Sequence, residues 1–192
     1  MGQEYELKFA ATEDQQQKLF AAFGPWQRYD METTYYDTPS RSLSLRHITL
    51  RRRFENGISV CTVKTPLAGS ARGEWECQWD DIHTAIGKLC AMGAPQLIAE
   101  LTQEGLVAVC GARFTRHACE ISCDGAVGEL ALDQGILMGG AKTQPLREVE
   151  VELKSGSADA IQAFAAAIAA QYGLVPEEQS KFRRSLALAE GE

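Results

Sequence analysis

The sequence lacks a long apolar run, and this bears on where the protein works. Nowhere in the 192 residues is there a stretch approaching the roughly 20 consecutive apolar residues that a membrane-spanning helix needs. The N-terminus reads MGQEYELKF, without a basic region followed by an apolar stretch, so no secretory signal is visible. Glu6 stands where a myristoylation motif needs Ser or Thr. We therefore expect a cytoplasmic protein without a membrane partner.

The motifs of several enzyme and metal-site classes are also absent. The six cysteines include no Cys-x-x-Cys pair, so free buried thiols are expected. His117, Cys119 and Cys123 lie close together on one predicted strand, which leaves zinc open as an alternative, although a second ligand pair is missing. No Gly-x-Gly-x-x-Gly or Walker pattern occurs. No Ser-His-Asp or Cys-His set suggests a covalent intermediate either.

The composition narrows the class of partner. Apolar residues make up 45% and charged residues 23% of the chain, which is ordinary for a globular protein. The length suits a single domain over residues 1–192. A net charge of −7 argues against nucleic acid and anionic membranes as partners, because both need a basic surface. It leaves open a small anionic ligand in an internal site.

Alternating charged and apolar residues predict strands that have one charged and one apolar face. Residues 3–10 place Glu4, Glu6 and Lys8 on one such face. Asn56-Gly57 predicts a hairpin turn between two further strands. The other predicted strands, with their in-phase charges, are 48–54 (Arg51, Arg53), 58–65 (Lys64), 72–79 (Arg72, Glu74, Glu76), 112–123 (Arg116), 127–133 (Glu129, Asp133) and 147–154 (Glu148, Glu150, Glu152).

Helices are predicted between and after these strands. The list is Thr12 to Phe23, roughly 80–92, roughly 95–105, Ser157 to Tyr172, and a last helix after Pro176 that carries Lys181 and Arg184. No strand–helix–strand rhythm suggests a parallel sheet. The predicted fold class is therefore antiparallel α+β, with a loop at 66–71.

Like charges repeated along one strand face need partners. The three glutamates of strand 147–154 would lie about 7 Å apart and repel one another. A solvated outer sheet face explains any single such strand. A closed barrel with its charged faces inward explains all of them together, since acidic and basic strands then face a shared lumen. Oxygen ligands alone favour Mg²⁺ or Mn²⁺ on the acidic side, and arginines favour phosphate on the basic side.

The ordered motifs resemble the CYTH, or triphosphate tunnel metalloenzyme, superfamily over essentially the whole chain. They are Glu4-x-Glu6-x-Lys8, Tyr35 to Pro39, Leu50 to Arg53, Thr62-Val63-Lys64, Arg72 to Glu76, Arg116, Glu129 to Asp133, Glu148 to Glu152, and Ser180-Lys181 with Arg184. The resemblance implies a closed antiparallel eight-stranded β-barrel, a tunnel with a charged lumen and helices packed outside. The stretch from Ala131 to Gly135 looks most like bacterial inorganic triphosphatases. Those relatives often carry a C-terminal CHAD domain, which we expect to be absent here or removed.

The family resemblance also implies an activity. We expect Mg²⁺- or Mn²⁺-dependent hydrolysis of inorganic triphosphate, or of a nucleoside or thiamine triphosphate, to diphosphate and phosphate. Two alternatives stay open. One is conversion of ATP to cAMP, as in class IV adenylate cyclases, and the other is a non-catalytic polyphosphate-binding module. The sequence leaves the oligomeric state undetermined.

Residue roles follow from the same resemblance. Metal ligands are expected first among Glu4, Glu6, Glu150 and Glu152, and then among Glu129, Asp133 and Glu148, which salt bridges to lumen arginines would explain equally well. Phosphate oxygens are expected to be bound by Arg51, Arg53, Lys64, Arg72, Arg116, Lys181 and Arg184, the last two competing with a solvated helix face. Lys8 would orient the attacking water or contact the scissile phosphoryl group, with Glu4 and Glu6 as its catalytic partners. Glu74 and Glu76 would position basic side chains, and Arg52 and Arg113 fall out of phase with the lumen.

Overall fold

Residues 2–66 and 72–191 are described by a computed structural model, with the backbone alone for residues 2–4. The strands are β1 (Gly2–Glu4), β2 (Glu6–Ala10), β3 (Gln27–Asp37), β4 (Thr49–Glu55), β5 (Ile58–Pro66), β6 (Arg72–Gln78), β7 (Val107–Cys123), β8 (Ala126–Gly139), β9 (Lys142–Ser155) and β10 (Val175–Pro176). The helices are α1 (Glu13–Ala22), α2 (Ile82–Ala91), α3 (Leu97–Leu101), α4 (Ala158–Tyr172) and α5 (Lys181–Glu190), and short 3-10 turns cover Ser44–Arg46 and Thr102–Glu104. Within these ranges, no helix combines the length and apolar character needed to cross a membrane.

All ten strands belong to one antiparallel sheet. Its order is β1-β6-β5-β4-β3-β7-β8-β9-β2-β10. Consecutive strands β1 and β2 therefore lie towards opposite ends of the sheet, although only Tyr5 separates them in the chain. Among the described residues, hydrogen bonds do not join the two ends. The predicted antiparallel α+β class is confirmed, whereas the sheet has ten strand segments rather than eight and its hydrogen bonds do not close a barrel.

The outer face of the sheet is apolar and covered by helices. One core cluster contains Leu130, Val149, Val151 and Ile161 and lies between the sheet and helices α1 and α4. A second contains Leu50, Val63, Trp75, Leu89 and Ile98, between β4–β6 and helices α2 and α3. Alternation of side chains along each strand explains this division, because burying one face of β9 turns every second residue to the other face.

Helix α5 packs on the charged face of the sheet. Leu188 contacts a small apolar cluster that includes Phe114, Leu137 and Leu146. A Cβ at Gly139 of β8 would lie 2.3 Å from the Ser185 carbonyl oxygen, so only glycine permits this approach. The Ser185 hydroxyl donates to the Gly111 carbonyl at 2.9 Å. The last helix is thus an element of the inner face rather than an outer appendage.

The hairpin turn and the helix cap that local sequence motifs predict are present in the structure. Asn56 and Gly57 adopt φ of 51° and 84° between β4 and β5, the left-handed pair that a tight hairpin requires. Thr12 and Gln15 form a capping box at the start of α1. The predicted loop at 66–71 lies mostly outside the described residues. Strand β3 is not among the predicted strands, and only its last residues, from Tyr35 on, were named, as part of a CYTH motif.

Candidate active site

A cavity of about 1300 Å³ lies on the charged face of the sheet. Every strand from β2 to β9 contributes side chains to its wall, together with α5, Pro176 of β10 and the segment from Arg41 to His47. The sheet therefore curves around one cavity. Drug-sized ligands occupy pockets of about 300–1,000 Å³, so a small polyanion and its counterions have ample room.

One wall of the cavity is basic. It is formed by β4, β5 and β6, and its four cations, Arg51, Arg53, Lys64 and Arg72, outnumber its three acids, Glu55, Glu74 and Glu76. Glu74 orients two of these cations, with its Oε1 at 3.4 Å from the Lys64 Nζ and 3.7 Å from an Arg51 nitrogen. Arg72 donates to the His47 carbonyl at 3.2 Å. This wall gathers cations into one region of the cavity.

Two arginines of this wall keep unused donors. The Nε atoms of Arg51 and Arg53 are buried and have no hydrogen-bond partner among the described residues. Burial, together with repulsion from Arg51, lowers the pKa of Arg53. A buried donor without a partner is costly, so these groups are suited to an anion that enters the cavity.

The opposite wall carries acids, which we call the outer acidic group: Glu6, Glu129 and Glu152. Glu152 is the cross-strand neighbour of both other residues, on β2 and on β8. Their side chains are 28–29% exposed. Lys154 lies beside them, with Nζ at 2.8 Å from Glu152 and 3.9 Å from Glu129. Lys8 approaches Glu6 from the other side at 3.9 Å.

A second set of charges is buried deeper, and we call it the inner ion cluster: Asp133, Glu148, Glu150, Arg116, Lys181 and Arg184. Arg116 donates to both Asp133 carboxylate oxygens at 2.8 Å and also to Glu150. Lys181 of α5 contacts Asp133 at 2.9 Å, Glu150 at 2.7 Å, and Glu148. Arg184 contacts Glu148 at 2.6 Å. The three cations thus contact all three carboxylates, and Arg184 also contacts Glu177 at 3.0 Å.

Burial and pairing shift the pKa values within this cluster. Burial raises the pKa of Glu148, although Lys181 opposes that effect. Burial would also raise the pKa of Glu150, but Lys181 and Arg116 outweigh it and hold that pKa well below its ordinary value. Burial would lower the pKa of Lys181, yet its three carboxylate partners raise it. The ion pairs therefore favour the charged forms of Glu150 and Lys181 despite their burial.

Comparison with known proteins identifies the family. The CYTH domain matches residues 2–186. This chain belongs to the CYTH family. Its fold is similar to HpAC1 from Hippeastrum, a proposed adenylyl cyclase with a dominant triphosphatase activity, at 18% identity and a TM-score of 0.66 over 98% of this chain and 96% of that one. It is also similar to PH1819 of Pyrococcus horikoshii (21%, 0.64, over 98% and 99%) and to a proposed adenylate cyclase of Bacillus halodurans (17%, 0.61, over 95% and 98%).

The CYTH cavity brings most of the residues predicted for the site together. On its wall lie Glu6, Lys8, Arg51, Arg53, Lys64, Arg72, Arg116, Glu129, Glu150, Glu152 and Lys181. Asp133 and Glu148 are fully buried beneath it, and Arg184 borders a second, smaller cavity instead. The Glu4 side chain lies outside the described residues. Arg52 and Arg113 point elsewhere, towards Asp80 and Glu32.

Two groups in the CYTH chain offer carboxylate oxygens for a divalent cation. Asp133, Glu148 and Glu150 place ligand atoms within 4.8 Å of one another. Those oxygens already accept from Arg116, Lys181 and Arg184. The outer acidic group lies on the cavity wall, and its side chains are 28–29% exposed. Carboxylate oxygens without nitrogen or sulfur donors fit Mg²⁺ or Mn²⁺ in either place, and the outer group leaves them more accessible.

Lys154 and Tyr35 are among the cavity residues to which no role was assigned from the sequence. Lys154 continues the alternation of Glu148, Glu150 and Glu152 by two residues, so its phase alone could have found it. Tyr35 belongs to the CYTH motif Tyr35 to Pro39, but it was given no role of its own there. It lines the cavity against the Phe182 ring, at 5.1 Å between centroids. Burial raises the Tyr35 pKa, which keeps this hydroxyl protonated.

All six cysteines are free as the sequence predicts, but only Cys61, Cys90 and Cys119 are buried, and the other three are partly exposed. Burial raises the pKa of Cys61 to about 11 and that of Cys110 to about 12, so both stay protonated thiols at neutral pH. In the described part of the chain, His117, Cys119 and Cys123 do not converge as a ligand group. The zinc alternative therefore has no support here.

Proposed function

We propose that this CYTH chain is a divalent-metal-dependent hydrolase of inorganic triphosphate or a related triphosphate compound. The reaction breaks the terminal phosphoanhydride bond with water and yields diphosphate and orthophosphate. The polyanion lies in the cavity, inside a tunnel that the curved sheet forms. The link from β1 to β2 through Tyr5 supports this tunnel, because it brings the two ends of the sheet together.

The observation that carries the proposal is the separation of charge across one cavity. Cations outnumber acids on β4–β6, where Glu55, Glu74 and Glu76 also line the cavity. Acids outnumber lysines on β2, β8 and β9, where Lys8 and Lys154 also line it. A ligand that suits both walls is a polyanion with bound divalent cations. A neutral ligand without acceptor groups would leave the buried Nε donors of Arg51 and Arg53 unsatisfied, and a simple cation would be repelled by these arginines.

Substrate binding is assigned to the basic wall. The guanidinium groups of Arg51 and Arg53 still have unused Nε donors, and planar guanidinium groups bind phosphate oxygens bidentately. Lys64 and Arg72 extend the wall along β5 and β6. These residues would bind the non-bridging oxygens and orient the chain of phosphates.

Metal binding is assigned to the outer acidic group, with Glu4 as a further ligand expected from the sequence. A divalent cation there would neutralise phosphate charge and lower the pKa of bound water. Lys8 lies between the outer acidic group and the inner ion cluster, and its Nζ also donates to the Gln179 carbonyl at 3.4 Å. From that position its ammonium would contact the terminal phosphoryl group and stabilise charge that develops during transfer.

The inner ion cluster has a structural role in this proposal. Arg116 and Lys181 donate hydrogen bonds to the carboxylates of Asp133, Glu148 and Glu150. Fixed charges of this kind support the walls without reorganising during the reaction. They also fasten α5 to the cavity floor.

A second candidate is ATP cyclisation, and the likeness to two proposed cyclases supports testing it. The dominant triphosphatase activity of HpAC1 supports hydrolysis instead, with the same fold. The purified chain would be incubated with inorganic triphosphate, ATP or thiamine triphosphate and with Mg²⁺ or Mn²⁺. We expect phosphate release in a metal-dependent way. cAMP as the main product would favour the cyclase, and binding without release would favour a polyphosphate-binding module.

A further inference from the structure

Lys154 lies beside two members of the outer acidic group, Glu129 and Glu152. Its ammonium contacts Glu152 at 2.8 Å and reaches Glu129 at 3.9 Å. Lys154 follows Glu152 by two positions on β9, with only Leu153 between them, so the pleat holds it on the same face. It lines the cavity with the acids that it pairs. A cation supplied by the chain therefore stands where the proposed function needs a divalent one.

A side-chain ammonium and a divalent cation compete for the same carboxylate oxygens. The outcome depends on how easily the side chain leaves. Lys154 is 44% exposed, and exposed ion pairs contribute little to stability. Lys181, by contrast, is 10% exposed, and its removal would leave buried carboxylates uncompensated. Lys154 can therefore be displaced, whereas Lys181 cannot.

The two acidic groups thus differ in their response to metal. The inner ion cluster has permanent cations on short contacts, with Asp133 and Glu148 fully buried. The outer acidic group has Lys154, a more exposed cation whose ammonium is carried on a long, flexible side chain. Once released, that side chain still begins on the cavity wall, within reach of a ligand there.

We propose that Lys154 is a placeholder cation: it neutralises the outer acidic group until a divalent ion displaces it, and its released ammonium then contacts a phosphate oxygen of the bound polyanion. This inference rests on the metal assignment of the proposed function. It makes Lys154 a positioning residue that links the two binding events. Metal binding frees a cation for the polyanion, so each ligand favours the other.

The first test measures Mn²⁺ binding to the substrate-free protein by electron paramagnetic resonance of the unbound ion. Lys154→Met keeps the stem and removes the charge. We expect about fivefold tighter Mn²⁺ binding, the factor that corresponds to the upper range for an exposed ion pair. Lys154→Arg should stay near the wild type, since it retains the competing charge. Lys142→Met, an exposed lysine of β9 away from the cavity wall, is the matched control and should change the constant less than twofold.

The second test measures binding of a non-hydrolysable bis-methylene triphosphate by calorimetry, with and without Mg²⁺. In the wild type, Mg²⁺ should increase the affinity for this analogue severalfold more than it does in Lys154→Met. Equal increases in both proteins would contradict the link. Unchanged or weaker Mn²⁺ binding in Lys154→Met, or no Mn²⁺ binding by the wild type, would overturn the placeholder role. Both tests measure binding and need no turnover. A protein that does not hydrolyse triphosphate would be recognised in the activity assay, independently of these two binding results.

Discussion

Removing Lys181 perturbs the inner ion cluster most directly. Its Nζ contacts Asp133 at 2.9 Å, Glu150 at 2.7 Å, and Glu148. Lys181→Met keeps a stem of similar length and deletes only the ammonium. Three buried carboxylates would then share Arg116 and Arg184, and the negative charge left over would have no partner.

The expected cost follows from burial. Lys181 is 10% exposed, and the Asp133 and Glu148 side chains are fully buried. Deleting one partner of a buried ion pair costs about 3–5 kcal/mol. In a domain of this size each kcal/mol lowers Tm by about 2–4 °C, so a fall of roughly 6–20 °C is expected.

The assay is urea unfolding followed by circular dichroism at pH 7, with Lys18→Met as the control. Lys18 forms an exposed i,i+4 pair with Asp14 at 2.6 Å, and its loss should cost about 0.5 kcal/mol or less. Adding Glu148→Gln to Lys181→Met should recover part of the stability, because it removes the surplus charge. A loss below about 1 kcal/mol for Lys181→Met, close to the control, would refute the argument that these buried charges depend on one another.

Three further predictions follow from single residues. Arg53→Gln should weaken triphosphate binding, measured by calorimetry, about 10- to 100-fold, the usual range for a charge-assisted hydrogen bond. Arg52→Gln, on the other face of the same strand, should change the binding constant less than twofold. Equal effects of the two substitutions would contradict the assigned faces. Gly57→Ala should cost about 1 kcal/mol in urea unfolding, because φ is 84° there, and an unchanged midpoint would contradict the turn. The pKa of Glu150 is lowered despite its burial, chiefly by Lys181. The ionised carboxylate therefore stabilises the fold above the unfolded pKa of about 4.3, and this stabilisation is lost as pH falls through the lower folded pKa. The difference in unfolding free energy between wild type and Glu150→Gln should narrow below about pH 4, and a difference that stays constant with pH would contradict the lowered pKa.

The charged strand faces could be predicted because alternation is a local property. Residues 147–154 and 3–10 carry their pattern in adjacent side chains, and the structure places both segments in strands as expected, with a break at Tyr5. The Asn56-Gly57 turn and the Thr12 cap are local signals too. Strand β3 was missed because Gln27–Asp37 mixes polar and aromatic residues without a clear period.

The division into a cavity wall and a buried cluster could not be predicted from alternation. Glu148, Glu150 and Glu152 share one phase, yet they are 0%, 9% and 28% exposed. How deeply each of these side chains is buried depends on where α5 packs against the sheet. The position of α5 follows from contacts between residues distant in sequence, such as Gly139 and Ser185. Lys181 and Arg184 looked like a phosphate clamp by type and spacing. Only the fold brings their charges onto Glu148.

The central claim is that the cavity hydrolyses triphosphate with a divalent cation. The most direct test is a ³¹P NMR time course of inorganic triphosphate with the wild-type protein, with Mg²⁺ and after chelation. The account predicts that triphosphate signals are replaced by equal amounts of diphosphate and orthophosphate, and only when Mg²⁺ is present. Triphosphate that stays intact with Mg²⁺ and with Mn²⁺, the latter removed before the spectrum is recorded, would contradict it.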